Sequence, residues 1–149
     1  MNNPINSLRI RKATPDDLPA IYEIVRGTKL PTEGIADHVS NFLVAEFDGK
    51  VVGTIGLEIY QSTGLLRSAA ILPKLQNRGV GNRLFNVLID YAKEEGISEL
   101  FLLTETARDY FARKGFTEIS RQEVRAVILS SEEFKSCCPT TAVCMKKKL

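Results

Sequence analysis

Histidine is almost missing from this 149-residue chain, with His38 the only one, and cysteine is sparse, with Cys137, Cys138 and Cys144. Three is an odd number, in a chain too long to need disulfide staples, so a reducing cytoplasm is the expected setting. Adjacent cysteines point apart in extended chain and His38 is remote from them in sequence. No metal-ligand spacing results, and the cysteines read as small buried hydrophobes. An excess of either charge is also lacking. Twenty Lys and Arg stand against eighteen Asp and Glu, a net +2, which gives no electrostatic case for a nucleic-acid partner. Lys146-Lys147-Lys148 reads as a solvated tail after a last strand. No apolar run nears the about 20 residues of a membrane-spanning helix, and the polar start Met1-Asn2-Asn3-Pro4 is unlike a secretion signal. Repeats, linkers and low-complexity stretches are missing too. With 44% hydrophobic residues, residues 1–149 are expected to form one domain around one core.

Leu8 and Ile10 alternate with arginines as a half-buried strand. Thr14-Pro15-Asp16-Asp17 then caps a helix whose stripe is Leu18, Ile21, Tyr22 and Val25, with Pro19 disturbing at most its opening turn and Gly27 its stop. Residues 28–40 read as a flap with a short helix at its end. Phe42 to Glu46 and Lys50 to Tyr60 are strands joined by an Asp48-Gly49 hairpin turn, and Leu65 to Leu72 is a fourth. Val80 to Glu95 is a helix with Leu84, Val87, Leu88 and Tyr91 on one face, closed by Gly96. Glu99 to Thr104 is a strand buried on both faces, and Ala107 to Lys114 a helix closed by Gly115. One or two short helices over 121–135 and a strand from Ala142 to Met145 complete a single α/β domain with a mixed sheet.

The turn between the fourth strand and the long helix carries the chemistry. Gly79 and Gly81 let backbone N–H groups converge where the orphan donors and positive dipole end of the helix also point, which makes an anion cradle. Gly81 is followed by Asn82 and Arg83, not the Lys-Ser/Thr of a P-loop. Leu84 stands where a dinucleotide fingerprint needs its third glycine. What remains is Gln76-x-x-Gly79-x-Gly81.

Preceded by its strand, that turn resembles the acetyl-coenzyme A signature of the GNAT N-acetyltransferases, and Tyr110-Phe111-Ala112-Arg113-Lys114-Gly115-Phe116 is similar to the family's Tyr-x-x-x-Gly-Phe. The order of elements from about Leu8 to Met145 looks like the whole GNAT fold, a mostly antiparallel mixed sheet with splayed central strands flanked by helices. Phe42 to Glu46, Gly56-Leu57-Glu58, Gly64 to Ser68, Leu102 to Thr104 and Cys138-Pro139 resemble a narrower group, the arsenic-resistance-type N-acetyltransferases. Leu102 to Phe116 also looks like the transferase domain of N-acetylglutamate synthases.

The resemblance implies acetyl-CoA as co-substrate, no metal, and a small-molecule amine acceptor, amino acid-like, with a link to arsenic or toxic amino acid detoxification. A protein amine as acceptor, or a non-catalytic acyl-CoA-binding module, are the alternatives, and a homodimer is compatible with either. It implies further that the pyrophosphate sits on Gln76, Asn77, Arg78, Gly79, Val80, Gly81 and Asn82, with Arg78 or Arg83 adding charge. Pantetheine would lie along Ala69, Ala70, Ile71 and Leu72, with Thr104 and Phe111 opposite. The Ile71 N–H would face the thioester carbonyl, where one donor is worth about 2.7–4 kcal/mol.

Glu58 and Glu105 are the candidate general bases, each with solvated carboxylate as the plain alternative. Arg67, expected on one strand face with Ala69 and Ile71, is a candidate clamp for a substrate carboxylate, or else pairs with a neighbouring acid. The family's tyrosine, proposed to protonate the leaving thiolate, is here Phe111. Tyr110, next door and about 100° round the helix, is the candidate acid in its place, with core or surface packing as the plain alternative. A thiol's pKa near 8.5 makes such an acid optional.

Overall fold

Asp48 and Gly49 both take positive φ, 54° and 75°, the pair that a type I′ turn requires. They join β2 (Phe42–Phe47) to β3 (Lys50–Tyr60). The computed structural model describes residues 8–124, 128, 131 and 142–149. The other described strands are β1 (Arg9–Lys12), β4 (Thr63–Ile71), β5 (Glu99–Thr104), β6 (Thr117–Ile119) and β7 (Val143–Lys148). They form one sheet in the order β1-β2-β3-β4-β5-β7-β6, in which only the β4–β5 pairing is parallel.

Four α-helices are described: α1 (Leu18–Gly27), α2 (Ile35–His38), α3 (Val80–Glu94) and α4 (Arg108–Arg113). The helix expected from Thr14 opens as a 3-10 turn, Pro15–Asp17, because Pro19 has no N–H to give the carbonyl four residues back. Arg11 grips the Asp17 carboxylate there with two bonds of 2.9 Å and holds it below its usual pKa, burial opposing. On α3 the buried stripe is Val80, Leu84, Phe85, Leu88 and Ala92. Val87, expected on that face, is exposed, since it lies about 100° round from Leu88 at the stripe's centre. The helix ends in a Schellman motif: Gly96 (φ 79°) donates to Lys93 and Ile97 to Ala92.

Two faces of the sheet are covered. Leu43, Ala45, Ile55, Leu57 and Leu66 pack against α3, while Phe42, Val44 and Ala70 pack against Ile21, Ile24 and Val25 of α1 and Ile35 of α2. Farther along the second face, Leu65, Phe101 and Cys144 meet Val124 and Ile128. Each such aliphatic side chain taken from water contributes about 1.5–3 kcal/mol.

The expectation for the basic run is corrected. Lys146, Lys147 and Lys148 are not a tail but the end of β7, with Lys146 3.2 Å from Glu99 of β5. Strand β6 is too short to show a period in the sequence. Of the helices expected over 121–135, the described residues show a 3-10 turn at Arg121–Glu123; the rest of that stretch, apart from Ile128 and Ser131, lies outside the described residues, as do Cys137 and Cys138.

Gly56 stands opposite Arg67 across β3 and β4, and a Cβ there would fall within the Phe42 ring, itself wholly buried. Gly56→Ala is expected to destabilise the fold by about 1–3 kcal/mol, read as a lowered urea midpoint with an unchanged m-value.

Candidate active site

The site begins where β4 stops pairing. It meets β5 only through Thr63, Gly64 and Leu65, and beyond them the two strands part. A slot of about 770 Å³ opens between them, bounded by Arg67 to Ile71 on one side and Leu102 to Thr104 on the other.

A bulge re-aims β4 inside that slot. Gly56 faces Arg67 and Thr54 faces Ala70, so that Ser68 and Ala69 together oppose Ile55, and Ser68 takes a left-handed φ of 58°. The bulge breaks the strict alternation expected of this strand. Arg67 therefore shares its face with Ala70 and Glu58 and not with Ile71, whose side chain packs toward α3. Leu72 donates its N–H to Val52 at 2.9 Å. Backbone groups alternate edges along an antiparallel strand, so the N–H and carbonyl of Ile71 face the slot. The Gln76 amide donates to that carbonyl at 3.0 Å, which leaves the N–H as the edge's donor at this residue.

Below the slot is the glycine turn. Asn77 (φ 64°) and Gly79 (φ 87°) are both left-handed, and Gly79 begins α3 with no side chain capping its first-turn N–H groups. A Cβ on Gly81 would meet nothing nearer than the Tyr110 hydroxyl at 3.8 Å; space has been left above a helix start rich in donors, which suits phosphate. Gln76, Asn77, Gly79, Gly81 and Asn82 line the slot, while Leu72, Arg78 and Val80 do not. Of the two arginines considered, Arg83 donates to the Leu8 carbonyl at 3.2 Å and Arg78 is exposed at the turn.

The far wall is set by another Schellman cap. Gly115 (φ 95°) donates to Ala112 and Phe116 to Phe111, and the two rings meet edge-on at 5.7 Å. This gives the Phe-x-x-x-Gly-Phe spacing a physical reason: the cap's residues fix Phe111 in the slot wall. Thr104, Tyr110 and Phe111 all line it. The Tyr110 hydroxyl donates to Asn82 at 3.0 Å, and burial pushes its phenol above the usual value near 10, Arg113 opposing.

At the opposite mouth are Thr28 and Leu30 of the flap and, on β4, Arg67 and Ser68. Glu58 is not a solvated carboxylate. It is fully buried, receives Arg67 Nη1 at 2.7 Å and the Tyr60 hydroxyl, has His38 Nε2 at 3.7 Å, and does not line the slot. The neighbouring acid considered for Arg67 is thus Glu58. Glu105 is exposed and also off the slot wall. Thr28, Leu30 and Phe85 line the slot without having been singled out by sequence, since no motif surrounds them. Among the described residues no three His, Cys, Asp or Glu side chains stand close enough to hold a metal ion, and no helix is long and apolar enough to cross a membrane.

The profile of the Acetyltransferase (GNAT) family matches residues 9–116. The chain belongs to that family. It is an acetyl-CoA-dependent GNAT N-acetyltransferase. It is 31% identical over 121 residues to an uncharacterized N-acetyltransferase of Chlorobaculum tepidum, covering 76% of this chain and 77% of that protein. It is 33% identical to an amino-acid acetyltransferase of Mycobacterium tuberculosis, covering 80% and 74%. Among solved structures it is similar to N-acetylglutamate synthase from Neisseria gonorrhoeae complexed with coenzyme A and N-acetyl-glutamate, with a TM-score of 0.84 and 28% identity over 95% of this chain. The chain spans 35% of that protein's length, and 28% of the related amino-acid acetyltransferase of Neisseria meningitidis.

If the space above Gly81 is the pyrophosphate's, then Gly81→Leu is expected to leave the melting temperature nearly unchanged. Coenzyme A affinity should fall at least tenfold, about 1.4 kcal/mol, by isothermal calorimetry.

Proposed function

We infer that this GNAT enzyme transfers acetyl from acetyl-CoA to the primary amine of a small, amino acid-like acceptor, by direct attack in a ternary complex. The observation that carries the reading is the continuity of one slot, from the glycine turn at one mouth to Arg67, Thr28 and Leu30 at the other. Two substrates can meet there from opposite sides. No cysteine or histidine lines the slot among the described residues, which favours direct attack over an acyl-enzyme intermediate. The names of the amino-acid acetyltransferases and the N-acetyl-glutamate in the gonococcal complex support an amino acid-like acceptor.

In this reading the pyrophosphate rests on the N–H groups of the 76–82 turn and the pantetheine arm pairs with the exposed edge of β4. The Ile71 N–H receives the oxyanion that forms when the amine attacks the thioester carbon. The nitrogen's proton passes to water: no carboxylate lines the slot among the described residues, and an α-amine near pKa 8 is partly neutral at pH 7.5 where a lysine near 10.4 is not. As the carbon–sulfur bond breaks, the thiolate leaves beside Tyr110, whose phenol, raised by burial, is protonated and able to supply the proton. A link to arsenic-containing or toxic amino acids is supported only by the resemblance of Phe42 to Glu46, Gly56 to Glu58, Gly64 to Ser68, Leu102 to Thr104 and Cys138-Pro139.

Purified enzyme with acetyl-CoA is expected to release thiol fastest with small α-amino acids, among which an arsenical amino acid should be included, and slowly with lysine-bearing peptides. Coenzyme A binding without thiol release from any amine would make the chain a binding module instead. With a good acceptor, kcat/KM is expected to rise with pH to the acceptor's own amine pKa and to show no fall before pH 10. Tyr110→Phe should lower kcat about 100-fold if the phenol is the proton donor, and leave it within about twofold if water serves.

A further inference from the structure

Arg67 is the one charged residue that lines the slot among the described residues, and its side chain is sealed from solvent. A guanidinium carries five N–H donors. Three of its bonds have protein partners: Nη1 to Glu58 Oε2 at 2.7 Å, Nε to Ser68 Oγ at 3.1 Å, and Nη2 to the Pro31 carbonyl at 3.2 Å. One N–H on each terminal nitrogen is therefore left over in a buried place, an arrangement that costs stability unless something arrives to accept from it. The Pro31 carbonyl, on the flap, is the weakest of the three partners by distance and is neutral. A carboxylate would compete with it well, because charge-assisted bonds to a guanidinium are shorter and stronger than those to a carbonyl.

Glu58 is badly placed for a base. Both its oxygens are engaged, Oε2 by Arg67 and Oε1 by the Tyr60 hydroxyl, with His38 beyond at 3.7 Å. Arg67 lines the slot with its side chain still covered, and Glu58 does not line it. The register explains the pairing: Arg67 faces Gly56 and Glu58 faces Leu65, which makes the two ions diagonal neighbours on one face of the sheet. With no side chain on Gly56, the guanidinium meets Glu58 with nothing between them on β3.

We propose that the Arg67 fork, its plane set by Glu58 and Ser68, is the receptor for a carboxylate on the acceptor, which takes the place of the Pro31 carbonyl, and that Glu58 is a positioning residue acting through Arg67. This rests on the acceptor reading above and names its class: amines bearing a carboxylate. Arg67 meets that carboxylate with its two spare N–H bonds and the one Pro31 gives up, while the flap segment carrying Thr28, Leu30 and Pro31 shifts to admit it. Ser68, held left-handed by the bulge, keeps Nε occupied and the fork from turning away.

The test is calorimetric binding of L-amino acids and the matching amino acid amides to the coenzyme A-loaded enzyme, run beside kcat and KM from pH 6 to 9. Wild type is expected to prefer acids to amides at least tenfold. Glu58→Gln should lose that preference although Arg67 remains, with KM for acids raised at least tenfold and the rising limb of the kcat profile intact. Glu58→Gln/Arg67→Met, which buries no lone charge, should lose it equally and guards against a single variant that does not fold. A flattened rising limb in Glu58→Gln, with acids and amides slowed alike, would make Glu58 the base and overturn the proposal. An undiminished preference for acids in that variant would overturn it too, as would wild type that binds acids no better than amides. In that last case acetylation of amides would leave the transferase reading standing; binding preference without any acetylation would sink that reading and spare this one.

Discussion

The separation of β4 from β5 is what everything else in the site depends on. Parallel pairing lasts for three residues of β4, from Thr63 to Leu65, and then stops. A strand edge inside a sheet ordinarily spends its N–H and C=O groups on its neighbour; here those of Ile71 are turned toward an opening about 770 Å³ in volume. Such an edge would invite another strand. α4 walls the slot, and the glycine turn and the flap stand at its mouths, so that in the proposed reading the edge is left for the amide-bearing pantetheine arm. The bulge at Ser68 completes the arrangement by handing Arg67 to the second face of the sheet while Ile71 packs toward α3. Without the extra residue, one of the two would point the wrong way.

The Glu58–Arg67 pair is a poor candidate for a stabilising device. Desolvating two ions offsets most of their attraction, and well-packed hydrophobic residues of similar volume often do as well or better in such places. On this face that substitution would join the cluster around Phe42 and Ala70 to the one around Leu65 and Phe101. An ion pair instead sits between two apolar clusters, tied to the flap at Pro31 and to the bulge at Ser68. The cost is understandable if the pair's use is orientation of a guanidinium toward the slot. Tyr60 and His38 then finish the coordination of Glu58 that Arg67 leaves incomplete.

Much of the fold was legible because its signals are local. Asp48-Gly49 can hardly be other than a I′ turn; Gly96 and Gly115 each close a Schellman motif; the anion cradle is a run of seven residues whose unusual backbone conformations announce themselves as Asn77 and Gly79. Val87 was misplaced by a helix face drawn one row too wide, and β6 is three residues long. The basic run at 146–148 was read by its charge, whereas its place in β7 is set by pairing with β5, where Lys146 stands opposite Phe101, 45 residues away in sequence. On β4 the run Ser68-Ala69-Ala70 concealed the bulge, since Ser adopts a left-handed φ seldom enough that no sequence rule anticipates it.

The two halves of the site differ in legibility for one physical reason. The donor half is a backbone object: contiguous residues, special φ values and a helix start, all encoded by neighbours in sequence. The acceptor half is built from side chains that the fold gathers from afar. Pro31 and Arg67 are 36 residues apart and Glu58 and Arg67 nine, and nothing in the sequence joins them. Sequence therefore presents Glu58 as a carboxylate with no visible partner, which suggests a base, and Arg67 as a cation with none, which suggests a clamp. Placing them 2.7 Å apart changes both meanings at once. A carboxylate that spends one oxygen on a guanidinium and the other on a phenol, and does not line the slot, is not presented to a substrate there. A guanidinium so held has lost its freedom to rotate but not all its donors, so less entropy remains to be lost when an acceptor's carboxylate arrives.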